Sequence, residues 1–370
     1  MWHSLKRIRS RKPTRNQLSD EPQFGHVAHT AALANQRLAQ IGYFTNEMIV
    51  GTTRALRGLQ IAESIDDSPT LARSYADLCL VYSLLRHPRL ADHFAKIAET
   101  VARKLGHLPS LAYVLNITNM HRLAYARFVE VEQLGQESID IGLQLQCYRD
   151  RVESLTVIAM KCCFQGELAR GGLLFEQVGS VAELGRNLLH QAWSQCGRGE
   201  VLLRTGKIEE AEQCLLAARE LLAESRSATE ELRAEGLYAL CLWRSNRAAE
   251  AIKTAIELSQ RNFKTPTASA LEGISSVMEV LIEAQALQPC NAREVVQACK
   301  RMARLFRTYC RVFPIGVPRY QRNLGLWAAV RGRTSKAQAH WRKALYWAQK
   351  LDLTTEGDLV RLDLARFSDR

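Results

Sequence analysis

Few residues in this chain have the types and spacing that chemistry needs, and each has a competing structural use. Gly199 with Gly206-Lys207 comes nearest to a phosphate loop, in which backbone amides cradle phosphates and a Lys-Ser/Thr pair completes the site. The glycines stand seven apart, Ile208 occupies the Ser/Thr position, and Gly206 reads as a tight turn, so no nucleotide site is expected. His26 and His29 lie three apart and His87 and His93 straddle a turn, but neither pair has a clear third ligand. The ten cysteines include no C-x-x-C pair and mostly fall where a helix buries a small side chain, which predicts reduced thiols in a reducing cytoplasm. No G-x-S-x-G elbow is present, and the paired acids Glu209-Glu210 and Glu230-Glu231 read as solvated charges at helix starts. The expectation is a non-enzyme with no cofactor and no metal.

Charge is the stronger signal. The chain carries a formal +12, and between Arg293 and Lys343 thirteen Lys/Arg face a single acid, Glu294. Arg304, Arg307, Arg311, Arg319 and Arg322 form a candidate basic patch, interleaved with Phe306, Tyr309, Phe313, Tyr320, Trp327 and Trp341. Such a mixture suits nucleic acid, an acidic protein or an anionic surface. At helical spacing it is equally a solvated face over an aromatic core. No apolar run approaches the ~20 residues of a membrane span.

The elements that position these residues repeat. Gly51, Ala91, Val131, Gly171, Ala211 and Ala251 recur every forty residues, each after a short break, and the motif returns at Ala337 after a longer interval. A small residue at a fixed step, with helical periodicity either side of the break, predicts one helical hairpin per step. A chain that is 47% hydrophobic can fill the lengthwise core of such an array. Residues 1–24, with Lys6, Arg7, Arg9, Arg11, Lys12 and Arg15, read as a disordered basic tail. The hairpins are expected over 25–352 and a capping helix over 353–370, with Leu359, Leu362, Leu364 and Phe367 inward and Asp358, Arg361, Asp363 and Arg366 in water. Ser68 before Pro69 predicts an N-cap, and Asn291 is a second candidate cap.

The second unit is the most specific. Tyr75, Leu78, Cys79 and Tyr82, answered by Ala91, Ala95 and Ala98, resemble the tetratricopeptide (TPR) pattern, with Ala95 replacing its usual aromatic. The other units match in part, and the third carries Val131 and Ser138 at its small positions. The resemblance spans about 27–352 and implies an all-α, right-handed α-solenoid of about eight hairpins. Six residues beyond the usual step imply longer helices or longer loops.

The first helix of each TPR hairpin lines a concave groove. Carried over, the groove positions are Arg73, Tyr113, Asn116, Met120, Glu153, Thr156, Met160, Trp193, Glu200, Arg204, Arg233 and Trp243. Aromatics, methionines and paired charges of this kind suit peptide recognition, though Trp193, Met120 and Met160 have a core reading too. The lengthened pattern also resembles the TPR tails of bacterial STAND or AAA ATPase-linked adenylate cyclase and Ser/Thr kinase systems. That likeness implies a signalling module as partner, but no ATPase, cyclase or kinase segment is present in this chain. The leading expectation is therefore a non-catalytic, regulatory scaffold holding a partner segment in its groove. The rivals are a nucleic-acid-binding array using the 293–343 segment and a detached sensor tail of an ATPase or cyclase.

Overall fold

The computed structural model describes residues 22–45, 47–65, 68–225, 228–263, 267–287 and 292–368. The tail expected over 1–24 lies outside them up to residue 21, as does the cap proposed for Asn291. Among the described residues there are helices and no strands. In chain order these are α1 (Pro22–Phe44), α2 (Met48–Ala62), α3 (Pro69–Leu84), α4 (Pro88–Leu105), α5 (Leu108–Ala124) and α6 (Phe128–Gln144). Then follow α7 (Tyr148–Gln165), α8 (Leu168–Leu184), α9 (Leu188–Arg204), α10 (Ile208–Ser225), α11 (Ala228–Arg244) and α12 (Ala248–Gln260). The last are α13 (Ala270–Leu287), α14 (Ala292–Val312), α15 (Val317–Val330), α16 (Thr334–Lys350) and α17 (Thr354–Ser368), with a 3-10 turn over Pro314–Gly316. Eight hairpins and a closing helix form a TPR-like α-solenoid.

The forty-residue step has a local cause. A residue in the left-handed region ends a helix by turning the chain while satisfying its last carbonyls. Such residues stand at Arg86, Gly106, Ala126, Gln146, Gly166, Arg186 and Gly206, every twenty residues, and the next within a hairpin is Asn246. Each twenty-residue half-step is thus one helix of about five turns plus a three-residue connection. The extra length over an ordinary TPR is in the helices, not the loops. Gly206, at φ +80°, is one of these turns, and Gly199 packs inside α9 against Leu215, which accounts for both glycines of the phosphate-loop candidate.

The small residues are contact points. Ala91, Val131, Ala211, Ala251 and Ala337 are fully buried, and Gly51 and Gly171 are buried with them. Helix starts follow the expected chemistry at Ser68, whose Oγ accepts from the Leu71 N–H at 3.2 Å ahead of Pro69. The cysteines pack as small hydrophobes: Cys79, Cys163, Cys196, Cys241 and Cys299 are all buried, and burial pushes the Cys79 and Cys196 thiols up to about 12. No helix of the described residues is long and apolar enough to cross a membrane.

Two departures from regularity close the array on itself. α11 and α13 approach so closely that a Cβ on Gly236 or Gly273 would overlap backbone of the facing helix. Only glycine allows that crossing. At the far end, α17 returns to the fourth hairpin, where Thr355 Oγ1 donates to the Gln165 carbonyl at 3.3 Å across 190 residues of sequence. Tyr43 and Met48, from the first hairpin, pack against the central core as well.

The inward face of α17 differs in part from the expected one. Val360 is fully buried, Glu356 and Asp363 are buried, and Leu362 is 66% exposed. Residues 356, 360, 363 and 367 form one helical stripe, and α15 presents arginines to it. Arg322 Nε donates to Asp363 Oδ2 at 2.6 Å, and Arg319 binds Glu356. Two acids therefore sit inside here and Leu362 outside, while Asp358, Arg361 and Arg366 face water and Leu364 and Phe367 pack inward as expected.

Candidate functional site

The concave side holds a cavity of about 150 Å³ that opens to solvent. Its walls come from the first helices α3, α5, α7, α9 and α11, as a TPR groove requires, and both helices of the first hairpin cover one end. Most of the wall is apolar: Met48, Leu80, Leu84, Ile117, Met120 and Met160 face the space. The polar groups gather at three places.

At the end covered by the first hairpin, Asp77 on α3 is the centre of a network. Its Oδ1 accepts from the Tyr113 hydroxyl at 2.5 Å and its Oδ2 accepts from Gln36 Nε2 at 3.2 Å. Gln40 Nε2 donates in turn to the Tyr113 oxygen at 2.8 Å. Burial raises the Asp77 carboxyl to about 6, against the pull of these hydrogen bonds and of Arg73.

On the α7 wall, Arg149 Nε donates to Glu153 Oε1 at 2.7 Å, and burial raises the Glu153 carboxyl. Asn116 spends its carboxamide on the frame. Its Nδ2 donates to the Asp150 carbonyl at 3.3 Å, and its Oδ1 accepts from Ser138 Oγ at 3.0 Å and from Ser154 Oγ. The Ser138 of the irregular third unit thus positions a groove residue.

The floor lies at α9 and α11. Arg233 is 1% exposed, and its Nη2 donates to Glu200 Oε2 at 2.9 Å. Arg204 Nη1 stands 3.6 Å from the other oxygen of Glu200, so two guanidiniums share that carboxylate. Arg233 Nε and Nη1 have no hydrogen-bond acceptor, nor does the buried indole N–H of Trp193. Glu230, one turn before Arg233, accepts from Ser269 Oγ at 2.8 Å through Oε1, while its Oε2 has no donor. Burial raises the Glu230 carboxyl, with Arg233 pulling the other way. The Glu230-Glu231 pair was expected in water. Glu230 is 4% exposed instead, because α11 is drawn against α13 at the glycine crossing.

Of the groove positions, Tyr113, Asn116, Met120, Glu153, Thr156, Met160, Trp193 and Arg233 meet at this cavity. Four do not line it. Arg73 donates to Ser110 Oγ at 3.1 Å and to the Pro109 carbonyl at 2.9 Å, tying α3 to α5. Arg204 Nη1 donates to the Cys163 carbonyl at 2.8 Å, and Trp243 Nε1 donates to Glu283 Oε2 at 2.5 Å. Glu200 lies in the small cleft beneath the floor. Glu200, Arg204 and Trp243 sit near the C-terminal ends of α9 and α11, where the extra length of these helices carries them past the groove. Gln40, Tyr43, Asp77, Arg149 and Glu230 line the cavity and were not anticipated.

The basic patch divides. Arg304, Arg307 and Arg311 are exposed on one face of α14. Arg319 is buried between Glu272, 2.5 Å away, and Glu356, and Arg322 is paired with Asp363. These two are internal ties, placed there because α15 is flanked by acid-bearing helices. Phe306, Tyr309, Phe313 and Trp341 are core. Among the described residues no three His, Cys, Asp or Glu side chains converge as metal ligands.

No protein-family model and no curated protein sequence matches the chain. Solved structures do resemble it. A Rap protein complexed with competence and sporulation factor superposes over 95% of this chain and 92% of its own, with TM-score 0.66 and 10% identity. The Rap conjugation gene regulator of plasmid pLS20, in complex with the Phr* peptide, covers 91% and 98%, with TM-score 0.53 and 11% identity. The likeness establishes the helical-repeat fold. Both neighbours are Rap proteins; neither is a STAND-linked tail.

Proposed function

We propose that this chain is a non-catalytic, regulatory interaction scaffold that holds an extended apolar segment of a partner protein or a free peptide in its concave cavity. The observation that carries this is the cavity itself: an apolar channel, open at one side, built from five successive first helices with polar groups only at set places. Apolar walls supply affinity through burial, and a few placed polar groups supply orientation. Methionines at 48, 120 and 160 let such a wall adapt to varied side chains. Of two chains of the same fold, one is solved with competence and sporulation factor and the other with the Phr* peptide, which supports the reading.

A random-peptide display library panned on the full chain tests it. Enriched peptides are expected to lose at least about tenfold in affinity with Trp193→Ala or Met120→Glu, since each removes or charges an apolar anchor on the wall. Enriched peptides whose Kd is the same for both variants and the parent would place binding elsewhere and sink the proposal.

A further inference from the structure

The hydrogen-bonding groups of the cavity do not balance, and the imbalance says what kind of ligand belongs there, given the peptide-holding role proposed above. Among the described residues lining the cavity, the buried donors without an acceptor are Arg233 Nε, Arg233 Nη1 and Trp193 Nε1. The one buried acceptor there without a donor is Glu230 Oε2. Buried polar groups left unpaired are costly, so native proteins rarely keep three donors waiting in one place without a ligand to meet them. Glu200 Oε1, which also has no hydrogen-bond donor, lies in the cleft beneath.

The charge points the same way. Arg233 and Arg204 both pair with Glu200, and neither forms another ion pair among the described residues. A guanidinium N–H bonds an anionic oxygen more strongly than a neutral carbonyl, and the indole N–H of Trp193 supplies a second donor. Burial raises the Glu230 carboxyl, against the pull of Arg233 and of its hydrogen bond from Ser269, which lessens its opposition to an anionic guest. The remaining walls accept apolar side chains on either side.

We propose that the floor of the cavity, formed by Arg233 with Trp193 and Glu230, is a carboxylate subsite that anchors the bound apolar peptide by its free C-terminus or by an Asp or Glu side chain. The bound carboxylate takes up the spare donors of Arg233 and Trp193 and fixes which way round the peptide lies.

The probe is a synthetic pool of hexapeptides of Leu, Val, Met and Trp, made with a free C-terminus, with a C-terminal amide, and as amides carrying one internal Asp or one internal Asn. Equilibrium capture on the full chain is read by mass spectrometry. Retention of the free-acid pool at least about tenfold above the amide pool assigns the subsite to the C-terminus, and the same excess of Asp over Asn assigns it to a side chain. Equal retention of all four pools overturns the subsite while leaving peptide holding intact, and retention of none overturns both. The double variant Arg233→Met/Glu200→Gln removes the buried pair together, which is tolerated better than removing one partner. It is expected to lose the carboxylate preference, the acid-to-amide retention ratio falling to about one; a preference that survives overturns the proposal. Should that variant not fold, Trp193→Phe keeps an aromatic ring and deletes one donor, and it is expected to lower the acid-to-amide retention ratio about fivefold, whatever the smaller ring does to both pools. Equal effects on both pools would overturn the assignment.

Discussion

The two polar ends of the cavity are built from similar residues and are energetically opposite. At the first-hairpin end, Gln36, Asp77, Tyr113 and Gln40 form a chain of hydrogen bonds in which both Asp77 oxygens and the Tyr113 hydroxyl have partners. At the floor, Arg233, Glu200, Glu230 and Trp193 are as deeply placed, yet several of their atoms have no partner. A satisfied buried network fixes a structure, whereas a partly satisfied one is kept at a cost that only a ligand offsets. The contrast separates residues that shape the cavity from residues that read its contents, although Tyr113 at one end and Trp193, Glu200 and Arg233 at the other were expected from the same groove register.

The largest test of this contrast is at the floor. Arg233→Ala leaves Glu200 buried beside Arg204 alone and also removes a side chain packed 5.6 Å over the Phe175 ring. Breaking a buried pair from one side costs about 3–5 kcal/mol, so urea unfolding should show a loss of that order. A loss below about 1 kcal/mol would mean that Glu200 is served by solvent and that the floor is not the dry charged cluster described above.

The opposite end gives a pH signature. Asp77 has its carboxyl raised to about 6 from an ordinary 3.8, so the folded state holds the proton more tightly than the unfolded chain. The associated stability is fully present below about pH 4 and is lost as pH rises through about 6. Asp77→Asn removes the titration. It is expected to leave stability near the parent's at pH 4 and to raise it above pH 6 by on the order of 2–3 kcal/mol. Thermal unfolding from pH 4 to 7.5 reads the difference; a gap between the two proteins that is constant with pH would rule out an uncharged Asp77 as the hub of this network.

Why one end was more legible than the other follows from how far apart its partners lie. The rung at Ala91, Ala211 and Ala251 is a local period, and it located the hairpins and eight cavity positions because packing in a solenoid is between neighbours. The left-handed residues that set the step were hidden, since Arg86, Ala126, Gln146, Arg186 and Asn246 carry no glycine signature. Gln36 and Gln40 reach Asp77 and Tyr113 across 41 and 73 residues, a consequence of how the array curls that no single repeat contains. The same holds for Glu230, buried by the Gly236–Gly273 crossing, and for Arg319 and Arg322, drawn inward by acids of α13 and α17. Composition marks these as charges. Only their partners distinguish a solvated face from an internal tie.

The finest comparison removes one polar hydrogen from each end. Tyr113→Phe deletes the hydroxyl that donates to Asp77 and accepts from Gln40, leaving both buried partners short of a hydrogen bond. That imbalance is expected to cost about 1–2 kcal/mol. Trp193→Phe deletes an N–H that has no acceptor, while most of the ring and its stacking on His190, 4.7 Å between centroids, can stay. The loss of an unpaired buried donor offsets the smaller ring, so stability should change by no more than about 0.5 kcal/mol in the absence of ligand. Paired urea titrations of the two variants decide the matter. If Trp193→Phe costs as much as Tyr113→Phe, the indole N–H is satisfied in solution, and the floor is then part of the frame in the same sense as the network around Asp77.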